Sequence, residues 1–166
     1  MRFNFRIKIN SFTFFMMLAK TQTLEGMSSL LPNGKHMPMW DLEGCTLEQA
    51  EETLRKVQQN YGLSNIYIVS DLKGSYRAWC FSQVDYKDFR RILSNTEYID
   101  EWFFYYTVKR QKATCRTNNK KNRLSQQVVS VLESYYVDIP DKMEHVIYDT
   151  GLKKRGYSIL LGDKDG

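Results

Sequence analysis

At 166 residues, with 42% hydrophobic and 14% aromatic side chains, the chain is long enough to bury one core and too apolar for disorder. Its net charge of +5 favours an anionic partner over an acidic or neutral surface role. No apolar run reaches the length of a membrane-spanning helix, and Cys45, Cys80 and Cys115 lack the paired spacing of a zinc site or disulfide framework, which points to a reducing cytoplasm.

Phe3, Phe5, Ile7 and Ile9 alternate with polar residues, the pattern of a strand. Residues 12–19 follow as a short apolar segment. With Arg2, Arg6 and Lys8 ahead of it this imitates a secretion signal, but the run is short and no small-x-small cleavage site follows. Residues 1–20 therefore read as an N-terminal strand and apolar extension, and 21–166 as a single domain. Leu31-Pro-Asn-Gly34 predicts a hairpin turn whose second arm is 35–43. Thr46-x-x-Gln49 has capping-box spacing, Leu47, Ala50, Leu54, Val57 and Tyr61 recur at helical intervals, and Gly62 supplies the stop. Residues 66–69 read as a buried strand, and 76–81 as its partner through the turn 71–74. A short amphipathic helix is expected over 85–93. Aromatic and β-branched content predicts a strand over 101–109 with 113–117 as its hairpin partner. A helix over 124–136 and strands at 146–148 and 157–161 complete an α+β sandwich.

The chemistry concentrates at Asp41-Leu42-Glu43. On a strand both acids point to one face, roughly 6–7 Å apart, while Leu42 faces the core. An isolated D-x-E is commonly a solvated strand face; paired carboxylates make chemical sense where a cation sits between them. Mg²⁺ or Mn²⁺ suits such oxygen ligands and brings phosphates with it. Residues 109–123 form an acid-free run holding seven of the 24 Lys and Arg, flanked by Tyr and Phe, and 153–155 add a second basic cluster. Phosphates and bases together would satisfy such a surface.

Three short motifs then fall in order: Asp41-x-Glu43, Ser75-x-Arg77 and Ile99-Asp100. In this the sequence resembles the archaeo-eukaryotic primases, particularly the small primase-polymerases of plasmids and viruses. Their catalytic core is an RNA-recognition-motif-like antiparallel or mixed sheet with helices packed on one face. It carries D-x-D/E on a strand, s-x-H on a later strand and an apolar-Asp pair at a third. The similarity extends over roughly residues 30–123. It implies metal-dependent nucleotidyl transfer on a single-stranded DNA template, with nucleoside triphosphates as substrates and a two-metal Mg²⁺ or Mn²⁺ site held by Asp41, Glu43 and Asp100. Ser75, Arg77, Lys109 and Arg116 would hold the triphosphate. Arg110, Lys120, Arg123, Tyr105 and Tyr106 would contact the template. A helicase or other replication protein is the expected partner, and the host cytoplasm the expected place of action. The departure is at Arg77, where the family has His. Guanidinium binds phosphate bidentately but does not give up a proton at neutral pH, as imidazolium does.

Two other readings compete. Residues 73–79 loosely match the nucleic-acid-contacting segment of RNA-recognition domains, so a catalytically inactive, primase-like or RRM-like single-strand binding module is the alternative. A rolling-circle nuclease would want a His-apolar-His pair, and His36-Met37-Pro38 lacks the second His. His36 and His145 are expected to be incidental.

Overall fold

The computed structural model of the chain describes residues 2–19, 22–70, 75–117 and 127–150. Their order is β1 (Arg2–Ile9), β2 (Phe12–Ala19), β3 (Gln22–Ser28), β4 (Met39–Leu42), α1 (Leu47–Tyr61), β5 (Ile66–Ser70), β6 (Tyr76–Cys80), α2 (Tyr86–Ser94), α3 (Glu101–Arg110), β7 (Thr114–Arg116), β8 (Gln127–Leu132) and β9 (His145–Thr150). This is an α+β fold, as expected. It divides into two units, Met1–Glu25 with Ile147–Gly166, and Gly26–Val146. In the first, β1 and β2 form an antiparallel hairpin closed at Ile9–Phe12, with Asn10 in the left-handed conformation that a tight hairpin turn demands (φ 53°). Among the described residues no helix is long and apolar enough to cross a membrane.

Within Gly26–Val146 lies a four-stranded antiparallel sheet in the order β4-β6-β5-β8. Since β4 and β5 both run antiparallel to β6, they are parallel to each other with β6 between them. With α1 as the crossover, β4-α1-β5 is a split β-α-β unit.

Local chemistry explains the helices that were expected. Thr46 and Gln49 exchange both bonds of the capping box, Gln49 N–H to Thr46 Oγ1 at 3.3 Å and Thr46 N–H to Gln49 Oε1 at 2.9 Å. Gly62 stops α1 at φ 59°, and an added Cβ there would also press on the Tyr136 ring at 3.1 Å. The amphipathic pattern over 85–93 becomes α2, with Asp85 at its N-cap and Phe89, Ile92 and Leu93 buried. These join Ala50, Leu54 and Val57 of α1 against Trp40, Leu42, Ile66, Ile68, Ala78 and Cys80 of the sheet in one apolar cluster.

Three expectations fail. Residues 101–109 are not a strand but α3. Asp100 caps the helix by accepting from the Phe103 N–H, Glu101 sits in its first turn, and Lys109 and Arg110 sit in its last. Caps and dipole-matched charges here outweigh the β preference of Trp, Phe and Tyr, which is mainly a preference for packing on a pleated surface. Consequently β7 has no hairpin partner in 101–109 and pairs instead with β3, Gly26 opposite Arg116 and Ser28 opposite Thr114. A Cβ on Gly26 would fall 2.7 Å from the Cys115 carbonyl oxygen, so the two strands meet this closely only because the residue is glycine. The helix expected over 124–136 is also absent where described: 127–132 is β8, on the free edge of β5. Apolar residues at 128, 131 and 132 fit either period, and Val-Val-x-Val favours the strand once an edge is available. Gln58 of α1 fastens it by donating from Nε2 to the Leu132 carbonyl at 2.8 Å.

The turn at 32–34 forms, with Leu31 N–H donating to the Lys35 carbonyl at 2.9 Å and Gly34 at φ 80°. Its second arm, β4, nevertheless takes β6 as its partner. The strand expected at 157–161 lies outside the described residues.

Candidate functional site

Asp41 is the third residue of β4, between the fully buried Trp40 and Leu42. That alternation turns Asp41 to the face away from α1 and α2. On one side β6 sets Arg77 directly opposite Asp41. On the other side Leu42 bridges Ile99, Asp100 N–H donates to the Asp41 carbonyl at 2.8 Å, and Glu43 N–H donates to the Tyr98 carbonyl at 2.9 Å. Asp100, Asp41 and Arg77 therefore stand in one transverse row. Directly opposed residues in such a row face the same side with Cα atoms about 5.5 Å apart in a hydrogen-bonded pair. Asp100 is thus tied to Asp41 through the backbone, and it opens a helix rather than a strand.

Arg77 is only 7% exposed, although it carries a permanent charge. Its Nη1 donates to the Arg116 carbonyl at 3.3 Å, and its Nε lies 3.7 Å from Asp41 Oδ1. That Nε is buried without a hydrogen-bond partner. A buried guanidinium needs a countercharge, and Asp41 is the carboxylate that faces it. Arg116, on β7, is brought to the same place, so two of the four residues assigned to the triphosphate converge. Cys115, next to Arg116, lies below the row. Burial raises its thiol pKa, the Asp41 carboxylate raises it further, and Arg77 acts against them. Its S–H donates to the Trp40 carbonyl at 3.7 Å, so it is an inert core thiol and not a nucleophile. Cys45 and Cys80 are free as well.

The remaining assigned residues are more dispersed. Glu43 lies one residue beyond β4 and is exposed, opposite Tyr98, whose φ of 61° is unusual for a side-chain-bearing residue. Ser75 immediately precedes β6 and is half-buried; its carbonyl accepts from Ser70 Oγ at 3.2 Å. Lys109 and Arg110 end α3, with Tyr105 and Tyr106 one turn before them. Arg110 lies over the Tyr106 ring, 4.8 Å from its centroid. Lys120, Arg123 and the basic cluster at 153–155 lie outside the described residues. His36, thought incidental, is a core residue: 3% exposed, stacked on Phe89 at 5.1 Å, with Nδ1 3.1 Å from Ser29 Oγ. Its pKa is lowered by burial.

Sequence reasoning missed Trp102, which is 67% exposed on α3 and contacts both tyrosines. Its spacing of three and four from Tyr105 and Tyr106 is visible in the sequence, but a strand assignment sends Tyr105 to the face opposite Trp102 and Tyr106.

Among the described residues, no three His, Cys, Asp or Glu side chains gather closely enough to cage a metal ion. Mg²⁺ does not require a cage: it takes one or two carboxylates and completes its shell with phosphate and water. Adjacent Asp41 and Asp100, all-oxygen donors beside two arginines, fit that demand. No protein-family model, no curated protein and no solved structure matches this chain.

Proposed function

We propose that this chain is a primase-polymerase-like nucleotidyltransferase domain, acting on single-stranded DNA in the replication of a plasmid, phage or virus. The observation that carries this reading is the row Asp100–Asp41–Arg77, in which the third motif reaches the first on the edge opposite the second. The split β-α-β unit supports it, since that is the topology of RNA-recognition-like sheets. Asp41 and Asp100, with Glu43 at the rim, would hold Mg²⁺ or Mn²⁺. Such an ion, when bound, activates the attacking 3′-hydroxyl and neutralises the departing pyrophosphate. Arg77 and Arg116 orient the triphosphate and hold its charge. Arg77 cannot protonate the leaving group, so that proton comes from solvent and turnover is slow. Free thiols suit action in a reducing cytoplasm, where a helicase or another replication protein would open the template.

Nucleotide incorporation on a primed single-stranded template with Mn²⁺ tests this. The wild-type chain is expected to extend the primer, and Asp41→Ala to lose at least about 100-fold of that rate, the scale of a lost charge-stabilising group. Absence of both incorporation and nucleotide binding at millimolar concentrations sinks the proposal.

A second reading, a binding module without chemistry, is favoured by one pair of observations: Asp41 already neutralises Arg77, and Asp100 already caps α3. Oligonucleotide binding indifferent to EDTA, with no incorporation, selects it.

A further inference from the structure

The outer face of α3 is the least expected surface of Gly26–Val146. At 100° per residue, Phe103, Phe104 and Thr107 turn inward, where the two phenylalanines pack on the core and Thr107 is buried. Trp102, Tyr105, Tyr106, Lys109 and Arg110 share the opposite side. A surface helix ordinarily presents polar side chains there. Here Trp102 is 67% and Tyr105 52% exposed. The rings brace one another. Trp102 meets Tyr105 edge-on at 6.1 Å and Tyr106 at 6.2 Å, while Tyr105 and Tyr106 meet edge-on at 5.3 Å. Arg110 covers the Tyr106 face from the C-terminal side.

We propose that this face is a stacking platform for single-stranded nucleic acid, with Trp102 its principal base contact and Arg110 its phosphate contact. The partner class rests on the reading given under Proposed function. Charge complementarity points to the same occupant. The outer face is aromatic and cationic, with Val108, 38% exposed at its flank, the one exposed aliphatic side chain of α3, and the acid-free run 109–123 begins at its end. Bases offer flat faces to the rings and phosphates offer charge to the guanidinium. A protein-docking helix would instead offer aliphatic residues at the same spacing. Position gives the platform a direction. The cap of α3 is Asp100, a member of the acidic row, and the helix extends from it for about 15 Å at 1.5 Å per residue. A strand lying along α3 is thereby led to Asp41.

Binding of fluorescein-labelled oligothymidylate to the full chain in EDTA, without nucleotide, tests this by anisotropy and by tryptophan emission. The wild type is expected to bind and its emission to be quenched, because Trp40 is fully buried and Trp102 is the most exposed tryptophan. Trp102→Ala should weaken binding roughly 5- to 100-fold, the range for removal of one base-stacking ring. Trp102→Phe should keep most of the affinity and lose the quenching. Arg110→Ala should flatten the salt dependence by about one unit of slope. Wild-type affinity in Trp102→Ala, or no quenching at saturation, overturns the proposal. So does a Trp102→Ala variant that changes only self-association in sedimentation, which would mark a protein interface. EDTA-resistant binding through Trp102 without any nucleotide incorporation leaves the platform standing while the transferase reading falls. Incorporation whose template KM is unmoved by Trp102→Ala does the reverse.

Discussion

Two neighbouring rows of the same ladder do opposite work. Trp40, Ala78 and Ile68 lie across β4, β6 and β5, all 0% exposed and pressed against the helices. One residue along, Asp41, Arg77 and Val69 lie across the same three strands on the other face. The small Ala78 in the first row leaves room for the indole of Trp40, whose Nε1–H still reaches Thr96 Oγ1 at 3.0 Å. In the second row a guanidinium is held out of water beside a half-exposed carboxylate. The strand period of two ties the rows together: a slip of one residue would exchange them. Apolar packing on one face therefore fixes where charge stands on the other, and the charged row need contribute little to stability itself.

The largest consequence concerns the apolar row. Trp40→Ala removes a fully buried ring and leaves Thr96 Oγ1 without the N–H it accepts from, so unfolding free energy should fall by about 3–5 kcal/mol, read as a lower urea midpoint. A loss below about 1 kcal/mol would mean that the helix-side face does not hold the register.

How much of this was legible follows the range of each signal. Capping at Thr46 and Gln49, the stop at Gly62 and the start at Asp85 are decided within a few residues, and each was read correctly. The two misread segments are those whose local preference is ambiguous and whose fate depends on distant partners. Residues 101–109 look like a strand by composition, yet Asp100 is positioned by its bond to Asp41, 59 residues earlier, to start a helix there. Residues 127–132 fit either period until the open edge of β5 is known. For the site, Asp41 and Arg77 were recognisable as motif residues, but not as a pair. Their pairing is a matter of register, which neither residue's own neighbourhood encodes. Arg116 depended on β7 reaching Gly26 of β3, a contact permitted by a missing side chain.

An intermediate effect should come from His36, a buried titratable ring on the core side of the comparison. Burial lowers its pKa in the fold, so the folded chain binds the proton less readily than the unfolded chain. Its stabilising contribution is complete above the unfolded value near 6.5 and declines as pH falls below it, until the folded pKa is passed. The slope in that window should approach, at most, about 1.4 kcal/mol per pH unit, one proton's worth. His36→Phe, which keeps a ring on Phe89 without a titrating nitrogen, should flatten urea midpoints measured between pH 7 and pH 5. An unchanged acid slope in that variant would assign the sensitivity elsewhere.

The smallest effect on stability is expected in the charged row, and it is the sharpest test of the contrast. Arg77→Met retains much of the aliphatic packing of the stem, removes a buried charge, and leaves Asp41, whose side chain is 31% exposed and can be hydrated. Replacing a buried ionic partner by a hydrophobe of similar shape is often neutral when the other charge can reach water, so stability should move by less than about 1 kcal/mol in either direction. Nucleotide affinity, followed by titration with a fluorescent triphosphate analogue, should meanwhile fall by at least about tenfold, the scale of one charge-assisted contact to phosphate. A variant of clearly lower stability that still binds nucleotide normally would make Arg77 a structural residue. A variant as stable as wild type and unable to bind places its role on the ligand, and makes the buried Nε, without a hydrogen-bond partner, the atom to follow.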